Sequence, residues 1–360
     1  MEKSKEIVKN LDSAIDKIKN KEHKIIFLVP DTKGNGKSSV IHLYNQALAL
    51  KNNGYNVAIL HEKNDFIKVG SWLTPECDEL EHMSIEDNNL VVGPSDFIVV
   101  PEVYGSVFEQ INTMPLEKII YVQSFDYMLE AFSPGKSWVD LGAEECITTS
   151  NTLKAMIEDT VPVEDVQFIE PSLSEVFTTS EKPKKPIIAI HCREARKAAK
   201  IIKAFYLKYP IYRFISFKDM HAMNHNDFAE NLKECAVSIW VDDDSSFGRF
   251  PAESIRCNVP VIGKVPNIIP EWMTDDNGIW VYDENQIPEI LSSYIKNWLD
   301  DTLPENLLNV SETISDRYTH EIFEKNTTEV FQHLFNKKIS KLEKIKENFN
   351  QQTVEENEEN

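Results

Sequence analysis

Glu253 stands two residues after a proline in the run SIWVDDDSSFGRFPAESIRCNVPVIGK, Ser238 to Lys264. The run reads as strand, tight loop, helix and strand. It sets Glu253 where the helix directs a carboxylate into the crevice above the carboxyl ends of parallel strands, the place where open α/β sheets bind ligands. An acid held there suits ribose hydroxyls, so the run points to a nucleotide-sugar site. Phe247 and Gly248 form the bend before the helix, and Gly248 lets backbone amides approach a sugar closely. A second cluster lies in HCREARKAAKIIKAF, His191 to Phe205. Arg193 and Lys197 sit four apart at a helix start, positioned to neutralise a departing diphosphate as charge builds on its oxygen. Arg196 and Lys200 are alternates for either role, set against the ordinary reading of such bases as a solvated face.

Three further patterns carry competing chemistries. GNGKSS, Gly34 to Ser39, resembles the end of a phosphate-binding loop, but the glycine that the full pattern requires five residues before Gly36 is Asp31. What survives is a backbone able to approach a ligand at Gly34 and Gly36, ahead of helix-start amides that favour an anion. Asp242, Asp243 and Asp244 are consecutive carboxylates of a kind that holds a hard cation, although a loop edge accounts for them as well. His221 and His225 have the spacing of helical zinc ligands but lack a third, and no metal is assigned. In KVPNIIPEW, Lys264 to Trp272, Asn267 and Glu271 stand at the mouth of the expected cleft, between prolines that also make a rigid connector.

The elements that would position these residues follow from hydropathy. Apolar runs such as KIIFLV, NVAIL, DFIVV, KIIYVQ, PIIAIHC, YRFISF and VSIWV alternate with helical stretches, which predicts parallel sheets with crossover helices. A helix is expected from about Ser38 to Lys51, closed by Asn53-Gly54. Others are expected from Glu194 to Lys208 and from Asn226 to Glu234. The proline- and lysine-rich TTSEKPKKP, Thr178 to Pro186, reads as a hinge. The expected organisation is a surface helix over residues 1–23, an α/β domain over 24–180, a second over 181–303, helices packing back across both over 304–346, and an acidic disordered tail over 347–360. Ile7, Leu11, Ile15 and Ile18 mark the docked face of the first helix.

With 360 residues, 41% of them hydrophobic, the chain can bury a sizeable core. No apolar run approaches the roughly 18 residues of a membrane helix, so no membrane insertion is expected. The five cysteines, widely spaced and without a C-x-x-C pair, read as reduced thiols of a cytoplasmic protein. A net charge of -21 argues against general nucleic-acid binding. Nothing in the sequence sets the oligomeric state.

SSFGRFPAESIRCNVPVIG resembles the signature of the GT-B-fold retaining glycosyltransferases, the sucrose-synthase-like and mannosyltransferase-like family. Phe247, Gly248, Pro251, Glu253, Pro260, Val261 and Ile262 match it in order and spacing. VPDTKGNGKSSVIHLYNQALALKNNGYNVAILHE is similar to the family's first loop and helix, and DFIVVPEVY with KIIYVQSFDYML to a subgroup found among viral and bacterial members. The resemblance implies two Rossmann-like doubly wound domains facing across a cleft. It also implies a nucleoside-diphosphate sugar as donor in the second domain, an acceptor in the first, retention of anomeric configuration and no metal or other cofactor. It gives Glu253 the donor ribose. The family's paired glutamate falls on Ser245, so Asp244 or the Ser245 hydroxyl is the substitute contact for the donor sugar. The acceptor left open is a glycan, a protein or a modified base in DNA. Other readings are a GT-B epimerase or phosphorylase, a non-catalytic nucleotide-sugar binder, and a nucleoside triphosphatase.

Overall fold

The structure, a computed structural model, describes residues 2–34, 37–87, 91–163, 165–221, 223–244 and 247–358. The chain divides into two compact units. The first comprises residues 1–148, 156–169 and 324–360, and the second residues 149–155 and 170–323.

In the first unit seven strands form one parallel sheet: β1 (Lys24–Val29), β2 (Asn56–His61), β3 (Glu81–Ser84), β4 (Phe97–Pro101), β5 (Glu117–Val122), β6 (Glu145–Thr148) and β7 (Val166–Phe168). Their order is β3-β2-β1-β4-β5-β6-β7. Strands covered on both faces need continuous apolar runs rather than alternation, and β1, β4 and β5 have them. The direction of winding reverses between β1 and β4, so the loops after these two strands flank the sheet's switch point. Helices α1 (Glu2–Lys19), α2 (Ser38–Asn52), α3 (Gly105–Ile111), α4 (Phe125–Ala131) and α5 (Asn151–Thr160) follow in chain order. α2 ends at Asn53, where Gly54 takes a φ of 81°. On α1, Ala14, Ile15 and Ile18 are buried.

The second unit holds β8 (Lys185–Ile190), α6 (Ala195–Lys208), β9 (Ser216–Asp219), α7 (His225–Lys233), β10 (Cys235–Trp240), α8 (Arg249–Arg256), β11 (Val261–Lys264), β12 (Gly278–Val281) and α9 (Ile287–Leu299). Its parallel sheet is ordered β12-β11-β10-β8-β9, with the switch point between β8 and β10. β10 is buried at every position.

The last helix, α10 (His320–Glu358), belongs from Glu324 onward to the first unit. Phe331 and Phe335 are buried, and Phe335 packs its ring against His23 and Phe97 at 4.5 and 4.9 Å. Each such phenylalanine contributes about 1.5–3 kcal/mol by leaving water. The lysines beside them meet acids at the amino ends of the central strands. Lys338 and Lys341 bond Glu117 at 2.6 and 3.1 Å, while Lys337 and Lys341 each bond Glu145 at 2.8 Å.

Thr178–Pro186 lies inside the second unit, where Lys184 donates to the backbone oxygens of Lys233 and Cys257 at 2.9 and 3.1 Å. One expectation is corrected. The strand expected in YRFISF begins only at Ser216, because Pro210–Tyr212 form a tight 3₁₀ turn. Helix α10 runs to Glu358 through a stretch whose glutamates and glutamines are good helix formers. Among the described residues no helix is long and apolar enough to cross a membrane. All five cysteines are free thiols and buried.

Candidate active site

The loops at the switch point of the second sheet bring together residues from three strand ends. After β8 the chain turns through His191, Cys192 and Arg193, and the Arg193 amide donates to Asp242 Oδ1 at 2.9 Å. Lys197, one turn into α6, reaches across to Asp243 after β10, with Nζ to Oδ2 at 2.5 Å. The other oxygen of Asp243 is taken by Lys264 at the end of β11, also at 2.5 Å. Burial alone would raise the Asp243 pKa, but the hydrogen bonds and charges of the two lysines outweigh it and hold the carboxyl below its ordinary value. The bond from Asp243, with Glu194 at 3.2 Å, raises Lys197 and keeps it cationic. Asp244 accepts from the Asn267 side chain at 3.3 Å, and the Asn267 amide donates to the Asp243 carbonyl at 3.0 Å.

Arg193, Lys197, Asp244 and Asn267, singled out by sequence, therefore share one rim, and the sequence reading omitted Lys264 and the lysine-bridging role of Asp243. The three aspartates divide among an amide, two lysines and an asparagine rather than converging on one point. Arg196 and Lys200 lie on the exposed side of α6, away from Asp243. His221 bonds Asp219 at 2.5 Å, whereas His225 packs on Phe177 at 5.0 Å, so the two histidines point to different partners. Among the described residues no group of three or more histidines, cysteines or acids is arranged to hold a metal ion.

Gly248 caps α8 with a φ of 65°, and a Cβ there would lie 2.9 Å from Trp272 and 3.0 Å from Trp240. Glycine is thus required twice, by the left-handed backbone and by the tryptophans beneath it. The Phe247 side chain is buried, and its carbonyl accepts from Trp272 Nε1 at 2.6 Å. Glu253, one turn into α8, is 5% exposed. Its Oε1 accepts from Arg249 at 3.2 Å, and Arg249 also donates to the Ser172 carbonyl at 3.1 Å. Burial pushes the Glu253 carboxyl up to about 7 even though Arg249 pulls it down. The Glu253 carboxyl is therefore gripped by Arg249 through one oxygen. Glu271 caps the amino end of α5 through the amides of Asn151 and Thr152 at 2.8 and 3.2 Å.

Gly34 belongs to the first unit, in the loop after β1, with a φ of 77°. Asp31 in the same loop accepts from the Lys33 amide at 2.8 Å, placing a carboxylate where a triphosphatase loop presents amides to phosphate. Gly36 and Ser245 lie outside the described residues. Across the same switch point, Glu102 follows β4, fully enclosed, and accepts from the Ser124 amide at 3.0 Å. Burial raises it to about 7 against three backbone hydrogen bonds that lower it. Sequence reading missed Glu102, whose only signal is an acid directly after an apolar strand.

No family model matches the chain, and no curated protein matches it by sequence. Solved structures do match it by shape. A sucrose-phosphate synthase from Thermosynechococcus elongatus superposes with a TM-score of 0.63 at 12% identity, covering 87% of this chain and 99% of that one. HepE from Anabaena, solved with UDP and glucose, gives 0.63 at 13% identity over 86% and 100%. A variant of TarM from S. aureus, solved with fondaparinux, α-GlcNAc-glycerol and UDP, gives 0.63 at 9% identity over 87% and 100%. With its parallel sheets of seven and five strands, the chain has the GT-B fold of glycosyltransferases.

Proposed function

We propose that the chain moves a sugar from a nucleoside-diphosphate sugar to an acceptor hydroxyl, with retention at the anomeric carbon and without a metal ion. The bond from the anomeric carbon to the diphosphate oxygen breaks, a bond to the acceptor oxygen forms, and the acceptor proton leaves with the diphosphate or to solvent. The observation that carries this reading is the meeting of Lys197 and Lys264 on Asp243 at the switch point of the second sheet, with the Arg193 amide on the neighbouring Asp242. The fold around it is one on which other chains were solved with UDP.

The diphosphate competes with Asp243 for Lys197 and Lys264, and these cations with Arg193 stabilise the charge that builds on the leaving oxygen. Glu253 meets the ribose through the carboxylate oxygen that Arg249 leaves, the pair fixing its orientation. Gly248 and Asp244 border the sugar. Transfer of a hexosyl rather than a pentosyl group suits neighbours solved with glucose or α-GlcNAc-glycerol. The acceptor is a glycan, a protein or a modified DNA base, and the net charge of -21 favours the first two.

The test is a thermal-shift panel of nucleoside diphosphates and their sugars, because a ligand bound only by the folded state raises the melting temperature. A nucleotide sugar that shifts the melt and is then split, releasing its diphosphate, supports the reading, and a panel without any shift overturns it. A second reading, a non-catalytic nucleotide-sugar binder, is favoured by Ser245 at the family glutamate position; it predicts the shift without diphosphate release.

A further inference from the structure

We propose that the strip from Arg196 to Phe214 on the second unit is a docking surface for an anionic lipid bilayer. The chain carries 59 acids against 38 Lys and Arg, yet between Arg193 and Lys218 it has eight bases and a single acid. On α6, Arg196, Lys200, Lys203 and Leu207 recur at four, three and four residues, so they share one face, and all four are exposed. Lys197 and Lys208 on the same helix are paired with acids, Lys208 with Glu289 at 2.9 Å. Arg196, Lys200, Lys203 and Arg213 have no carboxylate partner among the described residues.

The basic row runs directly into three large apolar side chains. Leu207 is 83% exposed, Ile211 77% and Phe214 56%, all within eight residues of chain. The segment that presents them is well anchored. Phe205 is buried, Tyr212 stacks on it at 6.0 Å, and the Tyr206 hydroxyl donates to the Ile215 carbonyl at 2.6 Å. Tyr206 and Tyr212 are thus used inward, while Leu207, Ile211 and Phe214 are held outward, contrary to what water favours. Leu207 and Ile211 offer no flat face for stacking on nucleic-acid bases, and the single exposed ring of Phe214 makes no row of stacking platforms, which weighs against a single-stranded nucleic acid as occupant. A bilayer accommodates both halves of the strip: apolar side chains enter at the acyl boundary, and lysine stems lie along them with their heads among anionic headgroups.

The test uses the full chain in co-sedimentation with vesicles of phosphatidylcholine plus phosphatidylserine, and with vesicles of phosphatidylcholine alone. The wild type is expected to pellet with the anionic vesicles only, and less so as salt rises. Each cation near such a surface is worth about fivefold in binding, so Lys203→Glu with Arg213→Glu should weaken it by at least about twentyfold. Leu207→Ser with Ile211→Ser and Phe214→Ser should abolish pelleting while leaving the melting temperature and any nucleotide-induced shift unchanged. The proposal is overturned if the wild type ignores anionic vesicles, or if both variants pellet like the wild type. It is equally overturned if light scattering shows a dimer that the same changes dissolve without vesicle binding, or if the strip retains single-stranded DNA in place of lipid. The nucleotide panel is independent of these outcomes, so failure here and failure of the transferase reading are separately visible.

Discussion

Arg249 and Glu253 face each other one turn apart on α8, Nη1 to Oε1 at 3.2 Å, with each side chain only 6% exposed. Removing one member of so enclosed a pair strands the other charge in the interior. Glu253→Ala should therefore cost about 3–5 kcal/mol of stability in urea denaturation. Glu253→Gln keeps the shape and a hydrogen bond to Arg249, and should stay within about 1.5 kcal/mol of the wild type. If the free carboxylate oxygen holds a ribose, the glutamine variant should bind the nucleotide sugar at least about tenfold more weakly, since a charge-assisted contact is lost. Unchanged affinity in calorimetry would leave Glu253 with a structural role alone.

The pH dependence of stability follows from two enclosed carboxyls. Burial raises both Glu102 and Glu253 to about 7, above the value of an unfolded chain. Such groups contribute stability that is complete below the unfolded pKa, near 4.5, and that is lost as pH rises through about 7. Each is worth on the order of 3 kcal/mol across that window. Denaturation midpoints should thus fall between about pH 5.5 and about pH 8, and Glu102→Gln with Glu253→Gln should flatten the slope. A wild-type midpoint that rises over this range would contradict the assignment.

Asp243 sits between two lysines that the proposed reaction needs. Lys197→Ala should lower turnover by about a hundredfold, the scale of one lost electrostatic contact to a developing anion. Asp243→Asn should act oppositely on ground-state binding. With both lysines released from the carboxylate, a free nucleoside diphosphate is expected to bind a few-fold tighter, by roughly 1 kcal/mol for a partly exposed pair. Weaker diphosphate binding by the asparagine variant would mean that Asp243 positions the lysines rather than competing for them.

The grip of α10 on the first sheet is a shared one. Glu145 is 2% exposed at its side chain and is held by Lys337 and Lys341 together. Either lysine changed to alanine leaves the other, and should cost about 1 kcal/mol or less. The double change leaves a buried carboxylate unpaired, and should cost about 3 kcal/mol or more, well beyond the sum. Additive losses in denaturation would show that the two lysines act separately.

The parts of the fold that could be read from the sequence are those whose signal is local. β1, α2, β10, α8 and β11 carry unbroken apolar runs, a helical stripe or an Asn-Gly stop. β3, four residues with His82 paired to Ile59, and β7, only Val-Gln-Phe, have no such pattern, and owe their conformation to the strand beside them. Arg193 and Lys197 were visible because they stand four apart. The bridge from Lys197 to Asp243 spans 46 residues and the one from Lys264 spans 21, so only the sheet order reveals them. The enclosure of Glu253 was hidden for a related reason. Arg249 is an ordinary i, i+4 neighbour in sequence, and the Ser172 carbonyl that completes its surroundings comes from 77 residues away.

Because the acids at the roots of β5 and β6 are neutralised by Lys337, Lys338 and Lys341, the lobe whose strands emerge first during synthesis is the last to be completed. A nascent chain stopped anywhere before the final helix presents that sheet with its aromatic cover missing and its carboxylates unmatched. A fragment ending near residue 303 is therefore a poor candidate for a free-standing protein, however well its second sheet is made.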